Sequence, residues 1–119
     1  MSTAAGAYLP YLAATWAIEV PLLVYLLWRH ASWRRSVAVG LLASGITHPL
    51  LWFVWPRVVP LWSDQAYLAS GEALVFLVEA ALIWLLVFRG KRRGIESAAL
   101  ASLATNAASC AAGLLAAAW

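Results

Sequence analysis

Glu72 and Glu79 stand seven residues apart in GEALVFLVEA, residues 71–80, a run otherwise as apolar as a membrane span. Seven residues are close to two helical turns, so a helix would set both carboxylates on one stripe, about 10 Å apart along its axis. Three more polar groups interrupt apolar runs in the same way: Glu19 in AIEVPLL, His48 in SGITHPLLW and Asn106 in LATNAAS. Carboxyl, imidazole and amide groups in such surroundings can hold and pass protons, bind a cation, or tie helices together by hydrogen bonds.

The remaining sequence says what must position them. Of 119 residues, 65% are hydrophobic and 11% charged, with 8 Trp, outside the usual balance of a soluble chain. The expectation is an all-α integral membrane protein, a single domain over 1–119 built as a four-transmembrane-helix bundle with short loops. Its apolar runs cover about 8–28, 36–56, 66–88 and 95–118, separated by RHASWRR, PRVVPLWSDQ and RGKRRG. Each approaches the roughly 20 residues a bilayer crossing takes. Each should be helical, because hydrocarbon offers no partner for an open backbone. The N-terminal stretch lacks the basic n-region of a secretory signal and reads as a retained first span. Single Cys110 has no partner for an intrachain disulfide.

Charge sets the direction. Arg29, Arg34 and Arg35 follow the first run, and Arg89, Lys91, Arg92 and Arg93 follow the third. The second connection holds only Arg57 beside Asp64, so seven of the eight cations agree. The positive-inside rule then puts loops 29–35 and 89–94 in the cytoplasm and both termini outside, in a membrane expected to be a bacterial cytoplasmic one. Trp28 and Trp33 would form the inner aromatic belt, and Trp55, Trp62, Tyr67 and Trp119 the outer one. Clusters this small beside spans are topology signals, so the lipid bilayer and not nucleic acid is the expected partner.

In that topology all the singled-out groups share a central layer. At about 1.5 Å per residue, Glu72 lies roughly 9 Å deep, His48 12, Glu19 16, Asn106 18 and Glu79 20. An acidic residue at a helix centre costs roughly 2.5–3.5 kcal/mol, and no Lys or Arg lies within the spans. Either most of the three glutamates are protonated at rest, or a cation sits among them, or a water-filled cavity reaches them. Pro21 and Pro49 should kink helices 1 and 2 beside Glu19 and His48, leaving the carbonyls of Ala17 and Gly45 without their usual donors. Thr15 and Ser44 lie one turn from Glu19 and His48 and extend the polar stripe. On the fourth helix Ser102, Asn106, Ser109 and Gly113 make one face of small or hydrogen-bonding residues fit for close packing.

At TWAIEVP the first helix resembles the small multidrug resistance family, four-helix membrane proteins that work as dimers. That resemblance implies a membrane-embedded glutamate, here Glu19, exchanging protons for cationic drugs. The sequence departs from the family in adding Glu72, Glu79 and His48 and in its strong charge bias. The expected function is proton or cation handling by a Glu19, His48, Glu72, Glu79 and Asn106 cluster, as a proton-coupled transporter acting as a homo-oligomer. One alternative is a small accessory subunit of a larger membrane complex, its acids lining a proton path or pairing with a partner. A second is an intramembrane carboxylate and histidine metal site, although His48 has Ser44 and Gly45 where a Glu-x-x-His pattern would put an acid. No nucleophile motif or cofactor signature is present, so a non-enzyme is expected with no cofactor identified.

Overall fold

The structure, a computed structural model, describes residues 2–58 and 64–117. Within these bounds every regular element is helical: α1 (Ser2–Leu26), α2 (Trp33–Pro49), π1 (Leu50–Val54), α3 (Trp55–Val58), α4 (Asp64–Ile83), π2 (Trp84–Phe88) and α5 (Gly94–Ala117). Because π1 and α3 continue α2, and π2 continues α4, the described residues form four helical rods. Trp62, Trp119, the side chain of Tyr67 and the burial of Gly113 lie outside what the structure describes, and with them part of the expected outer belt and of the α5 stripe.

Local chemistry sets the ends. The Ser32 hydroxyl accepts from the Arg35 backbone N–H at 3.1 Å, an N-cap that starts α2 at Trp33 instead of near 36. Pro49 has no N–H to give the carbonyl of Gly45. The helix widens directly after it into π1, and this is the form the expected disturbance takes there. Pro21, in contrast, is exposed within an α1 that runs without interruption from Ser2 to Leu26. Between α4 and α5 the chain turns through Gly90 at φ +79° and Arg93 at φ +55°. Left-handed backbone is natural for the glycine and strained for the arginine.

α1 packs against α2 and α5, and α4 packs against the same two helices, so α1 and α4 stand diagonally across the bundle. The buried seams advance four residues at a time: Thr15, Glu19 and Leu23 on α1 with Leu27 directly after it, and Gly71, Val75, Glu79, Ile83 and Val87 along α4 and π2. Four residues turn a helix by about 40° more than one revolution, so each seam winds slowly around its rod. Gly40 permits the closest approach of α1 to α2, since a Cβ there would stand 3.0 Å from Val20 Cγ2 and 3.3 Å from Leu23 Cδ1.

Both basic connections lie at one end. Lys91 Nζ donates to the His30 carbonyl at 3.0 Å, and the His30 ring lies 4.9 Å from that of Phe88. Just inside this end an apolar cluster fills the interior, with Leu23, Leu27, Val39, Ile83, Val87 and Phe88 at its centre. The exterior is also apolar, exposing Leu42, Phe53, Leu77, Leu85, Leu100 and Leu103 among others. By length and composition one described stretch, Ala69–Phe88, can cross a membrane, with mean hydropathy 2.2; Leu12–Leu26 is apolar but shorter.

Gly40→Val should force α1 from α2 and cost about 1–3 kcal/mol as overpacking. Thermal melting followed by circular dichroism reads this directly, and an unchanged midpoint would show that the α1–α2 contact is slack.

Candidate functional site

Glu79 is a buried acid bonded to two other helices. The α4 seam carries it into the middle of the bundle, where it is 3% exposed. Its Oε1 accepts from Asn106 Nδ2 of α5 at 2.8 Å and its Oε2 from Thr47 Oγ1 of α2 at 3.3 Å. One carboxyl therefore ties three helices together. Asn106 is itself held by the Ser102 carbonyl at 2.8 Å, while Ser102 Oγ donates to the Phe76 carbonyl of α4 at 2.9 Å.

Glu19 reaches the same region from the diagonal helix. It is also 3% exposed and accepts from Ser44 Oγ at 2.6 Å, a short charge-assisted or carboxyl–hydroxyl contact. Ser44 and Thr47 are three residues apart on α2, so one face of one helix presents a hydroxyl to each acid. Glu19 and Glu79 lie within electrostatic range of one another and of Glu72. All eight Lys and Arg side chains are exposed. The two buried acids thus share an interior without a Lys or Arg side chain.

The other singled-out residues are placed differently. Glu72 is exposed, because the four-residue seam buries Gly71 at that level, against Leu51, and turns the next residue outward. It is a flank group beside the pair and not a member of the buried layer. His48 follows Ser44 by one turn on α2 but is only half-buried; its Nδ1 is shielded and has no hydrogen-bond partner among the described residues. Trp16 Nε1, on the facing side of α1 against Gly45, is in the same condition. Thr15 is buried one turn from Glu19, Ser109 is half-buried on α5, and Cys110 is exposed.

Thr47 and Thr105, with Ser36 in the first turn of α2, are the buried polar groups among the described residues that sequence reasoning passed over. Thr47 sits directly before His48 in ITHP and drew no notice beside an ionisable neighbour. Thr105 bonds back to the carbonyls of Ala101 and Ser102, each at 3.0 Å, and so satisfies itself within α5. Spacing of four from Ala43 and Ala101 would have marked both threonines.

No group of three or more His, Cys, Asp or Glu among the described residues is placed to hold a metal ion, so the carboxylate and histidine metal centre gains no geometric support. No protein-family model matches the chain, and no curated protein or solved structure matches it either. The likeness of α1 to the small multidrug resistance family accordingly rests on TWAIEVP alone.

Glu79→Gln preserves the site's bonding, because a Gln carbonyl still accepts from Asn106 and its amide can donate to the Thr47 hydroxyl. Thr47→Val instead leaves a buried carboxyl oxygen without its donor. We expect Thr47→Val to cost about 1–3 kcal/mol and Glu79→Gln to cost less. Comparing the two in equilibrium unfolding tests this, and a reversed order would contradict the assigned bonds.

Proposed function

We propose that the chain is an integral membrane protein whose Glu19–Glu79 pair takes up and releases a proton or cation, serving proton-coupled transport by a homo-oligomer. The observation that carries this reading is two buried acids in a bundle whose cations are all outside. The distribution of polarity supports the membrane setting: Thr15, Glu19, Ser36, Ser44, Thr47, Glu79, Ser102 and Thr105 are inside, whereas large apolar side chains cover the outside. In water that arrangement would expose apolar surface and bury charge; in lipid each group finds its preferred surroundings.

Two bare carboxylates buried together would lack any compensating charge, and such burial is costly. A shared proton or a bound monovalent cation restores the balance, and the hydroxyls of Ser44 and Thr47 can donate to either acid in its ionised form. Exchange between the two occupants at one place is the chemistry of a coupled transporter. The apolar cluster fills the interior toward the basic loops, where Ser36 Oγ is also buried without a partner among the described residues, and His48 Nδ1 and Trp16 Nε1 are in the same condition on the opposite side. In the proposed orientation, in a bacterial cytoplasmic membrane with the basic loops inside, that side is the exterior.

One observation favours the subunit reading as a second choice. Glu72 faces outward within the apolar stretch Ala69–Phe88, where a cationic side chain of another protein could meet it.

Purified protein in vesicles loaded with a pH-sensitive dye, given an imposed potential and an aromatic monocation as cargo, tests the transport reading. Glu19→Gln and Glu79→Gln should each lower cargo-dependent proton movement at least tenfold while helicity is retained, and Arg92→Ala should leave it unchanged. Full activity in Glu79→Gln would overturn the assignment. Native mass spectrometry of protein extracted from its own membranes separates a homo-oligomer from a subunit bound to other chains.

A further inference from the structure

We propose that the basic end binds the phosphate of an anionic phospholipid headgroup in the cleft bounded by Tyr25, Leu26, Trp28, Arg29 and His30, with Lys91 as a second cation. The inference rests on the membrane reading but concerns a different surface from the acid pair. The cleft has a volume of about 520 Å³, formed where α1 ends and the chain turns toward α2. This is room for a headgroup, within the size range of small-molecule sites.

Three features give the cleft its chemistry. First, a cation of the other connection reaches a residue of its wall: Lys91 Nζ is 3.0 Å from the His30 carbonyl and 5.8 Å from the Phe88 ring centroid, which holds the ammonium beside the cleft with N–H groups left for another acceptor. Second, Arg29 on the near wall can present a two-pronged donor set to a phosphate diester. Arg34 and Arg35 in the first turn of α2 and Arg89, Arg92 and Arg93 in the second basic connection are exposed at the same end, and Glu96 in the first turn of α5 is the one acid described there. Third, the flank is aromatic and outward-facing, with Tyr25 76% and Trp28 72% exposed. Amphipathic rings of this kind sit at headgroup level, and below them the apolar side of α1 offers a surface for acyl chains. A soluble anion would use the cations and leave that flank unused; a phospholipid uses both.

The test reconstitutes the full chain into nanodiscs of phosphatidylethanolamine with a minority of phosphatidylglycerol, and counts the lipids retained after release into the mass spectrometer. Phosphatidylglycerol should be retained in preference to phosphatidylethanolamine. Arg29→Gln should lower that preference roughly fivefold, and Arg29→Gln with Lys91→Gln about twentyfold or more. Arg57→Gln, in the other connection, should have no effect. Arg29→Lys, which keeps the charge and the fold, should fall between wild type and Arg29→Gln. Unchanged retention in a double variant of normal helicity would overturn the proposal. So would displacement of phosphatidylglycerol by inorganic phosphate at equal concentration, which would make a soluble anion the occupant. A chain that does not enter nanodiscs at all would remove the membrane reading together with this site, whereas loss of the lipid preference alone leaves the Glu19–Glu79 reading intact.

Discussion

Glu19 and Glu79 are buried in a bundle that keeps every Lys and Arg side chain at its surface, and this imbalance constrains the rest of the structure. A buried acid needs donors. The interior supplies them from Ser44, Thr47 and Asn106, one or two to each carboxyl. Those donors come from α2 and α5, the two helices that flank both acid-bearing ones. The polar network is therefore also the cross-bracing of the fold, holding the diagonal pair α1 and α4 through their shared neighbours. Removing a donor and removing a charge are consequently different experiments, the first acting on stability and the second on function.

The bracing requires close helices, and the sequence places small residues where they are needed. Gly40 lets α1 and α2 meet, and Ala98, Ala101 and Ser102 line the side of α5 that is buried. The seam pattern then divides the interior lengthwise. Toward the basic loops it is apolar, from Leu23 to Phe88; in the middle it is polar; and beyond that lie the half-buried His48 and the outward Glu72.

Much of this was legible in the sequence. Apolar runs broken by basic clusters describe four helical rods, and the clusters after the first and third runs meet at one end, as the bond from Lys91 to His30 requires. The partnership of Asn106 with a glutamate follows from placing the runs side by side. What misled was the period. Two acids seven apart share a helix stripe, but both are buried only if the packing seam follows a repeat near 3.5 residues, and here it steps by four, so Glu72 is left exposed while Glu79 is buried. Pro49 could be expected to disturb its helix, but whether the free carbonyl is resolved by a bend or a π-helical segment depends on neighbours far along the chain. Thr47 had no signal of its own, because a hydroxyl in an apolar helix gains meaning only from what faces it.

The central claim is that the buried pair carries an exchangeable proton or cation. Infrared difference spectroscopy of the reconstituted protein reads it most directly, because a protonated carboxyl has its own C=O stretch, separate from the amide bands. The account predicts such a band in the resting protein, sensitive to deuterium exchange, lost reversibly on raising the pH or adding a competing cation, and removed in Glu19→Gln, Glu79→Gln or both. A spectrum without the band under all conditions, or a band that responds to neither pH nor cation, would contradict it.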